Sequence, residues 1–343
     1  MVANATAASG VRAAAGERVR ERLEAAGHDV DLVRGADAGG AERALRAALA
    51  AGPPDAVVGV GGDGTMHLLV NVLAQTEVPL GIVATGSGND LARSLGLPFA
   101  NPEAATKVVL GALEVLGADE ERGAEEECRA DEAQAEAEAE GAGAGADEVA
   151  GAGADGGEAV GAGTARIRAI DLVHLGSGRW YAGVLSAGFD AAVNERANGM
   201  RWPRGRNRYV VALLLELLRL TPRRYRVTID RDRRQLDAVL VTVGNTTSIG
   251  GGMRITPGAV LDDGLLNVMV AAPLSRRELL RIFPRVYRGT HIHDEHVSVE
   301  RGRVVTVAVE GRDVPVAYAD GERIGPLPIT AEVVPGALRV LVP

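Results

Sequence analysis

Residues 57–65 read VVGVGGDGT: an apolar run ends in two glycines, an acid, a third glycine and a threonine able to cap a following helix. That order fits a buried strand running into a tight turn at the start of a helix. Backbone N–H groups in such a turn can approach a phosphate closely, because no Cβ stands in the way and the helix N-terminus adds a favourable dipole. The same spacing also suits a turn that binds nothing, so its neighbours decide the reading.

Those neighbours repeat the pattern. VRAAAGERVRERLEAAG and AERALRAALAAG have helical periodicity, DAVVGVGG reads as a strand, a helix is predicted over about Thr65–Gln75, and PLGIVAT is a second strand. A second glycine turn, ATGSGNDLARSLGLP at 84–98, carries Ser87, Asn89 and Asp90 and again opens a helix. VANATAASG offers a third, with Asn4, Ser9 and Gly10. Polar glycine turns at one sheet edge match the placement of ligand sites at the carboxyl ends of strands in open α/β sheets. There is no GxxxxGK[ST], and Lys107 is the only lysine, so a Walker-type site is excluded.

Beyond residue 165 the pattern changes to alternating segments: ARIRAIDLVHL, RWYAGVLSAGF, RYRVTID, DAVLVTVGN and LLNVMVA. They predict a mainly antiparallel β domain interrupted by one prominent helix near Tyr209–Leu220. A length of 343 residues accommodates two domains. Between them lies an Ala/Glu/Gly-rich insertion, 118–165, expected to be disordered. Residues 119–158 hold fifteen acidic against two basic side chains, a net −13, so the remainder carries +4 although the whole chain is at −9. That modest excess suits phosphates or anionic lipid and does not argue for nucleic acid. The lone Cys128 excludes an intrachain disulfide and fits a reducing, cytoplasmic setting. MVANATAASG lacks the features of a signal peptide, and no apolar run approaches the ~18–20 residues of a membrane span, so membrane contact is expected to be peripheral.

GGDGT at 61–65 and GSGNDLAR at 86–93 resemble the signature pair of the diacylglycerol kinase catalytic domain, shared with sphingosine and ceramide kinases. GFDAAV (188–193), RGRNRY (204–209), GNTTSIGGGMRITPGAVLDDGLLNV (244–268) and DGE (320–322) follow in that family's order. The resemblance implies an N-terminal α/β nucleotide-binding domain (1–117, completed by about 325–343) and a C-terminal, mainly antiparallel β-sandwich domain (166–324). It implies an ATP- and Mg2+-dependent kinase at the inner face of the cell membrane that phosphorylates a lipid hydroxyl. Diacylglycerol leads as substrate; sphingoid bases, ceramide and phosphatidylglycerol follow. An NAD kinase, which shares GGDGT, and a non-catalytic nucleotide-binding regulator are the alternatives, and a homodimer is compatible with the family.

Carried over by resemblance, ATP would meet Asn4, Ser9 and Gly10 at the first turn, and Gly61, Gly62, Asp63, Gly64 and Thr65 at the main loop. Gly86, Ser87 and Asn89 would serve at the second loop, with Glu322 opposite. Asp63 would organise magnesium or water around the phosphates. Asp320 would be the base that takes the hydroxyl proton, and Asp263 with the Leu265 carbonyl, joined by Asp262, would hold a structural magnesium. Two departures from the pattern are Ala84, where proline is common, and VRGADAGGAER, which lacks the usual threonine and acid and leaves the adenine and ribose contacts open. RWPRGRNRYVVALLLELLRLTPRRYR (201–226) flanks a short apolar helix with arginines, which suits either a lipid headgroup layer or packing on the sheet. No metal site is expected at His67, His291, His293 or His296.

Overall fold

The computed structural model describes residues 1–3, 10–118, 166–203, 207–311 and 314–343. Asn4, Ser9, Cys128, the acidic insertion beyond Ala118 and residues 204–206 of RGRNRY lie outside the described residues.

The N-terminal part alternates as its periodicity predicts: β1 (Val2–Ala3), α1 (Gly10–Ala25), α2 (Ala38–Ala51), β2 (Val57–Gly61), α3 (Asp63–Leu73), β3 (Leu80–Ala84), α4 (Asp90–Ser94) and α5 (102–118). β1, β2 and β3 pair in parallel. Both strands β2 and β3 are buried along their whole length, as expected for a parallel sheet covered on two faces. Val19 and Leu23 of α1 and Val109 of α5 pack on one face with Val58, Val60 and Val83. Leu45 of α2 and Met66, Leu69 and Leu73 of α3 pack on the other with Val57, Leu80 and Ile82.

The C-terminal part comprises β4 (Arg166–Leu175), β5 (Trp180–Tyr181), β6 (Val184–Gly188), α6 (Phe189–Gly199), α7 (Asn207–Leu218), β7 (Arg223–Ile229), β8 (Asp232–Ala238), β9 (Leu240–Gly244), β10 (Leu266–Ala271), α8 (Arg276–Val286), β11 (Val297–Gly302), β12 (Val304–Val309), β13 (Val316–Ala319), β14 (Glu322–Pro326) and β15 (Ile329–Val342). One antiparallel sheet runs β11-β10-β9-β6-β13-β14. Its inner residues Leu185, Val241, Val243 and Val268 meet Tyr225, Val227, Val305 and Val333 of the second sheet, forming the sandwich core.

β15 joins the two halves. Its first part pairs with β12 and β4, a bulge between Val334 and Leu338 redirects it, and Val340 then pairs in parallel with Leu80 of β3 while Leu338–Val342 continue along β4. The expectation of one helix in the second half is corrected: α6 and α8 stand beside α7, whose observed bounds are Asn207–Leu218. α8 begins with a capping box, Ser275 accepting from Glu278 N while the Glu278 carboxylate accepts from Ser275 N, an S-x-x-E signal present in the sequence that the expectation missed. α6 buries Ala191, Val193 and Ala197, small side chains that leave little periodic signal.

Candidate functional site

The glycines of the main loop are first of all packing residues. A Cβ on Gly61 would fall 2.2 Å from Thr65 Oγ1, because the buried threonine folds back over the end of β2. A Cβ on Gly86 would lie 2.6 Å from Gly62 Cα, so the two glycine loops touch backbone to backbone. The contact is secured by Thr85 N donating to Gly61 O at 2.8 Å. Gly64 faces β14, where its Cβ would meet Glu322 Oε1 at 3.2 Å. The structure thus brings Gly61, Gly62, Gly64, Thr65, Gly86 and Glu322 together, with Ser87 exposed beside them. Gly10 opens α1.

Asp63 and Asn89 build the second loop. The Asp63 carboxylate accepts from Asn89 N at 3.0 Å and Asp90 N at 2.8 Å, which satisfies the first donors of α4. Asn89 adopts a left-handed conformation (φ +56), accepts from Gly86 N and donates to the carbonyls of Gly86 and Phe99. Asp90 accepts from Gly251 N, which ties the GGG turn of the second half to the same point. Burial, then the neighbouring Asp63 charge, pushes the Asp90 carboxyl up to about 6; the Gly251 N–H and Arg93 oppose this, and Asp320 adds to it.

Asp320 sits at the turn between β13 and β14 with φ +52, a conformation that Asp and Asn tolerate better than most residues. Its Oδ1 accepts from Gly183 N (2.9 Å) and Val184 N (3.2 Å), and its Oδ2 from Ala182 N (3.0 Å). Asn245, fully buried, holds that stretch in place: its N donates to Gly183 O and its Nδ2 to the carbonyls of Ala182 and Asp171. His67 of α3 faces the carboxylate, with Nδ1 3.7 Å from Oδ2. The carboxylates Asp63, Asp90 and Asp320 lie close enough to interact, and each is engaged by main-chain N–H groups from another part of the chain, an arrangement suited to a phosphate only if a cation accompanies it.

The LDDG turn is arranged differently. Asp262 is paired with Arg168 at 2.7 Å, and Asp263 with Arg301 while also accepting from Leu265 N. Arginines therefore occupy the side chains expected to hold a structural magnesium, and no group of three or more metal-ligating side chains gathers among the described residues. The residue that fixes this turn is Asp171, which the sequence reading passed over: it is 2% exposed and accepts from Gly264 N and Gly336 N. Asn245 was likewise passed over, Asp90 was named only as a polar group of the second turn, and His67 only as a histidine where no metal was expected. Only the position of His67 four residues, one helical turn, after Asp63 bears on its facing the site.

Residues 1–116 match the family model described as diacylglycerol kinase catalytic domain, and residues 183–342 the one described as YegS C-terminal NAD kinase beta sandwich-like domain. A curated relative, "Diacylglycerol kinase" of Mycobacterium tuberculosis, is 38% identical over 323 residues, which are 94% of this chain and 87% of the relative. The "Diacylglycerol kinase" of Bacillus subtilis is 24% identical, covering 91% of this chain and 85% of the relative. Among solved structures, a putative diacylglycerol kinase from Bacillus anthracis superposes with a TM-score of 0.69 at 18% identity, covering 100% of this chain and 94% of that one, which establishes likeness of fold.

Proposed function

The chain belongs to the diacylglycerol kinase family and is a lipid kinase, and from that premise we propose that it transfers the γ-phosphate of ATP to the free hydroxyl of diacylglycerol, yielding phosphatidic acid, with Asp320 as the base. The observation that carries this reading is the Asp320 carboxylate, cradled by three N–H donors where the glycine loops, β6 and β14 meet. Phosphoryl transfer asks mainly for positioning and charge neutralisation, plus an acceptor for one proton, and these donors keep the carboxylate oriented for that task. Gly62, Gly64 and Gly86 leave backbone open toward the triphosphate, and Ser87 adds a hydroxyl. Asn89 acts by holding Gly86 in place.

Magnesium would accompany the nucleotide near Asp63 and Asp90, supplying the positive charge that lets phosphates approach these carboxylates. Burial raises the Asp90 carboxyl, and the Asp63 and Asp320 charges add to it; that gathering of negative charge supports a cation. The LDDG turn is not put forward as a second magnesium site, because its carboxylates are held by arginines.

The lipid is met at a membrane surface. No helix among the described residues is long and apolar enough to cross a membrane. α7, however, turns Val210, Leu214 and Leu218 to solvent on one face, and Trp202, 81% exposed, precedes it. Arg201 and Arg219, both exposed, flank this surface, the mixture expected of a helix lying in an anionic headgroup layer. Asn207, Val211 and Leu215 widen the stripe, while Ala212 and Leu217 anchor the opposite face.

The test is transfer of labelled γ-phosphate from ATP and Mg2+ to separate vesicle or micelle preparations of diacylglycerol, sphingosine, ceramide and phosphatidylglycerol, and to NAD, for wild type and Asp320→Asn. Label in diacylglycerol that disappears in the variant is the expected result. Label confined to another acceptor replaces the substrate, and full activity of the variant removes Asp320 as the base.

A further inference from the structure

A carboxylate has about four lone-pair directions. At Asp320 three are taken, two on Oδ1 and one on Oδ2, and the oxygen with spare capacity is the one that faces His67. His67 Nδ1 is buried and has no hydrogen-bond partner among the described residues. Its other ring nitrogen, Nε2, lies 3.3 Å from Arg179 Nη2. A guanidinium can only donate, so Nε2 accepts and the ring proton resides on Nδ1, pointing at Asp320.

The surroundings fix both groups. Arg179 Nη1 donates to Arg323 O at 2.8 Å. One turn after His67, Asn71 accepts from Trp180 N at 2.8 Å and donates to Trp180 O at 2.9 Å, clamping α3 to β5 beside Arg179. A donor and an acceptor are thus held 3.7 Å apart with side chains 9% and 15% exposed. That gap is too long for a hydrogen bond, yet an oxygen about 2.8 Å from each atom would bridge it at an angle of roughly 80°.

We propose that the gap between Asp320 Oδ2 and His67 Nδ1 seats the acceptor hydroxyl of the lipid, with His67 donating to its oxygen and Arg179 a positioning residue that fixes the His67 tautomer. The hydroxyl gives its hydrogen bond to Asp320, accepts one from His67, and keeps its second lone pair for phosphorus. In transfer the O–H bond breaks with its proton passing to Asp320, the oxygen forms the new bond to the γ-phosphorus, and the bond from that phosphorus to the bridging oxygen breaks with its electron pair leaving on ADP. The inference rests on Asp320 as the base and adds the group that orients the nucleophile.

Two measurements test it. With 1,2-dioctanoylglycerol in mixed micelles, His67→Leu is expected to lower kcat/KM for the lipid by about tenfold, the worth of one hydrogen bond, while KM for ATP stays unchanged. His67→Asn, which can place an amide N–H where Nδ1–H stood, is expected within about threefold of wild type. Arg179→Met is expected to cost activity in the wild-type background and nothing further in His67→Leu. Equal loss in the Leu and Asn variants, a parallel rise in KM for ATP, or a Leu variant as fast as wild type overturns the proposal. In the last case an inactive Asp320→Asn leaves the base reading standing, whereas an active one removes both. Independently of any acceptor, long-range 1H–15N spectra of histidine-labelled protein, assigned by the signal missing in His67→Asn, should report a protonated Nδ1; a protonated Nε2 refutes it.

Discussion

Replacing Asp320 by asparagine should cost stability as well as activity, and the cost follows from its three donors. Hydrogen bonds to a charged acceptor contribute about 1.5–3 kcal/mol each, neutral ones about 1 kcal/mol. An asparagine carbonyl in the position of Oδ1 keeps Gly183 N and Val184 N, in weakened form. Its amide then points at Ala182 N, donor against donor, and an unpaired buried N–H costs about 1–3 kcal/mol. The backbone adds nothing, since asparagine tolerates φ +52 as well as aspartate does. Because the side chain is 15% exposed, water recovers part of the loss, and the expected net is about 3 kcal/mol. Urea unfolding followed by tryptophan fluorescence reads it as a lower midpoint at unchanged m. Kinase assays on the variant therefore belong well below its Tm. Active-site substitutions commonly stabilise a protein by relieving strain or like charge; an Asp320→Asn variant as stable as wild type, or more so, would refute the claim that an ionised carboxylate is held by these donors.

Gly86→Ala should force the two glycine loops apart by about 1 Å, since its Cβ would stand 2.6 Å from Gly62 Cα against an ordinary contact near 3.5–4 Å. The expected result is kcat/KM for ATP down by about a hundredfold in initial-rate assays, together with a lowered Tm from an overpacking cost of about 1–3 kcal/mol. Leu214→Glu, on the exposed stripe of α7, should abolish sedimentation with phosphatidylglycerol-containing vesicles while leaving transfer to micellar dioctanoylglycerol intact. Loss of self-association in light scattering without any change in vesicle binding would instead assign that face to a second copy. Burial holds the Asp190 carboxyl above its ordinary range, with the hydrogen bond from Ser186 opposing. Its folded pKa is therefore raised, its contribution to stability is full below the unfolded pKa of 3.8, and that contribution is lost as pH rises through the folded value. Asp190→Asn should thus gain on wild type in urea midpoints as pH rises above the unfolded pKa; parallel curves would contradict the shift.

The fold was legible where one force dominated. The apolar runs of β2 and β3 and the glycine turns after them could only be strands feeding helices, and the alternation in β7 announced an antiparallel strand, although β10, expected to alternate, is buried at every position. α6 was illegible because it packs through alanines, whereas α8 carried a readable S-x-x-E signal that its arginine-rich outer face obscured. Within the site, residue types were readable and partners were not. Asp63 carries a charge that suggests metal or phosphate, yet it caps α4, and Asn89 suggests a ligand contact, yet it clasps its own loop. Asp171 and Asn245 act across long separations in sequence, as does Arg179 on His67, and no local pattern reports such contacts.

β15 sets an order of manufacture. The parallel sheet that carries both glycine loops is finished only when residues 338–342 slot in beside β3, and the loop after α3 is fastened when Gln75 N finds Ala337 O. On a ribosome these residues emerge after every other described element, so the loop-bearing sheet waits unfinished through the synthesis of the whole sandwich. A chain released early would leave β3 as a raw edge and its glycine loops without a fixed floor. A nonsense change a few codons before residue 338 should therefore be as damaging as one in GGDGT itself.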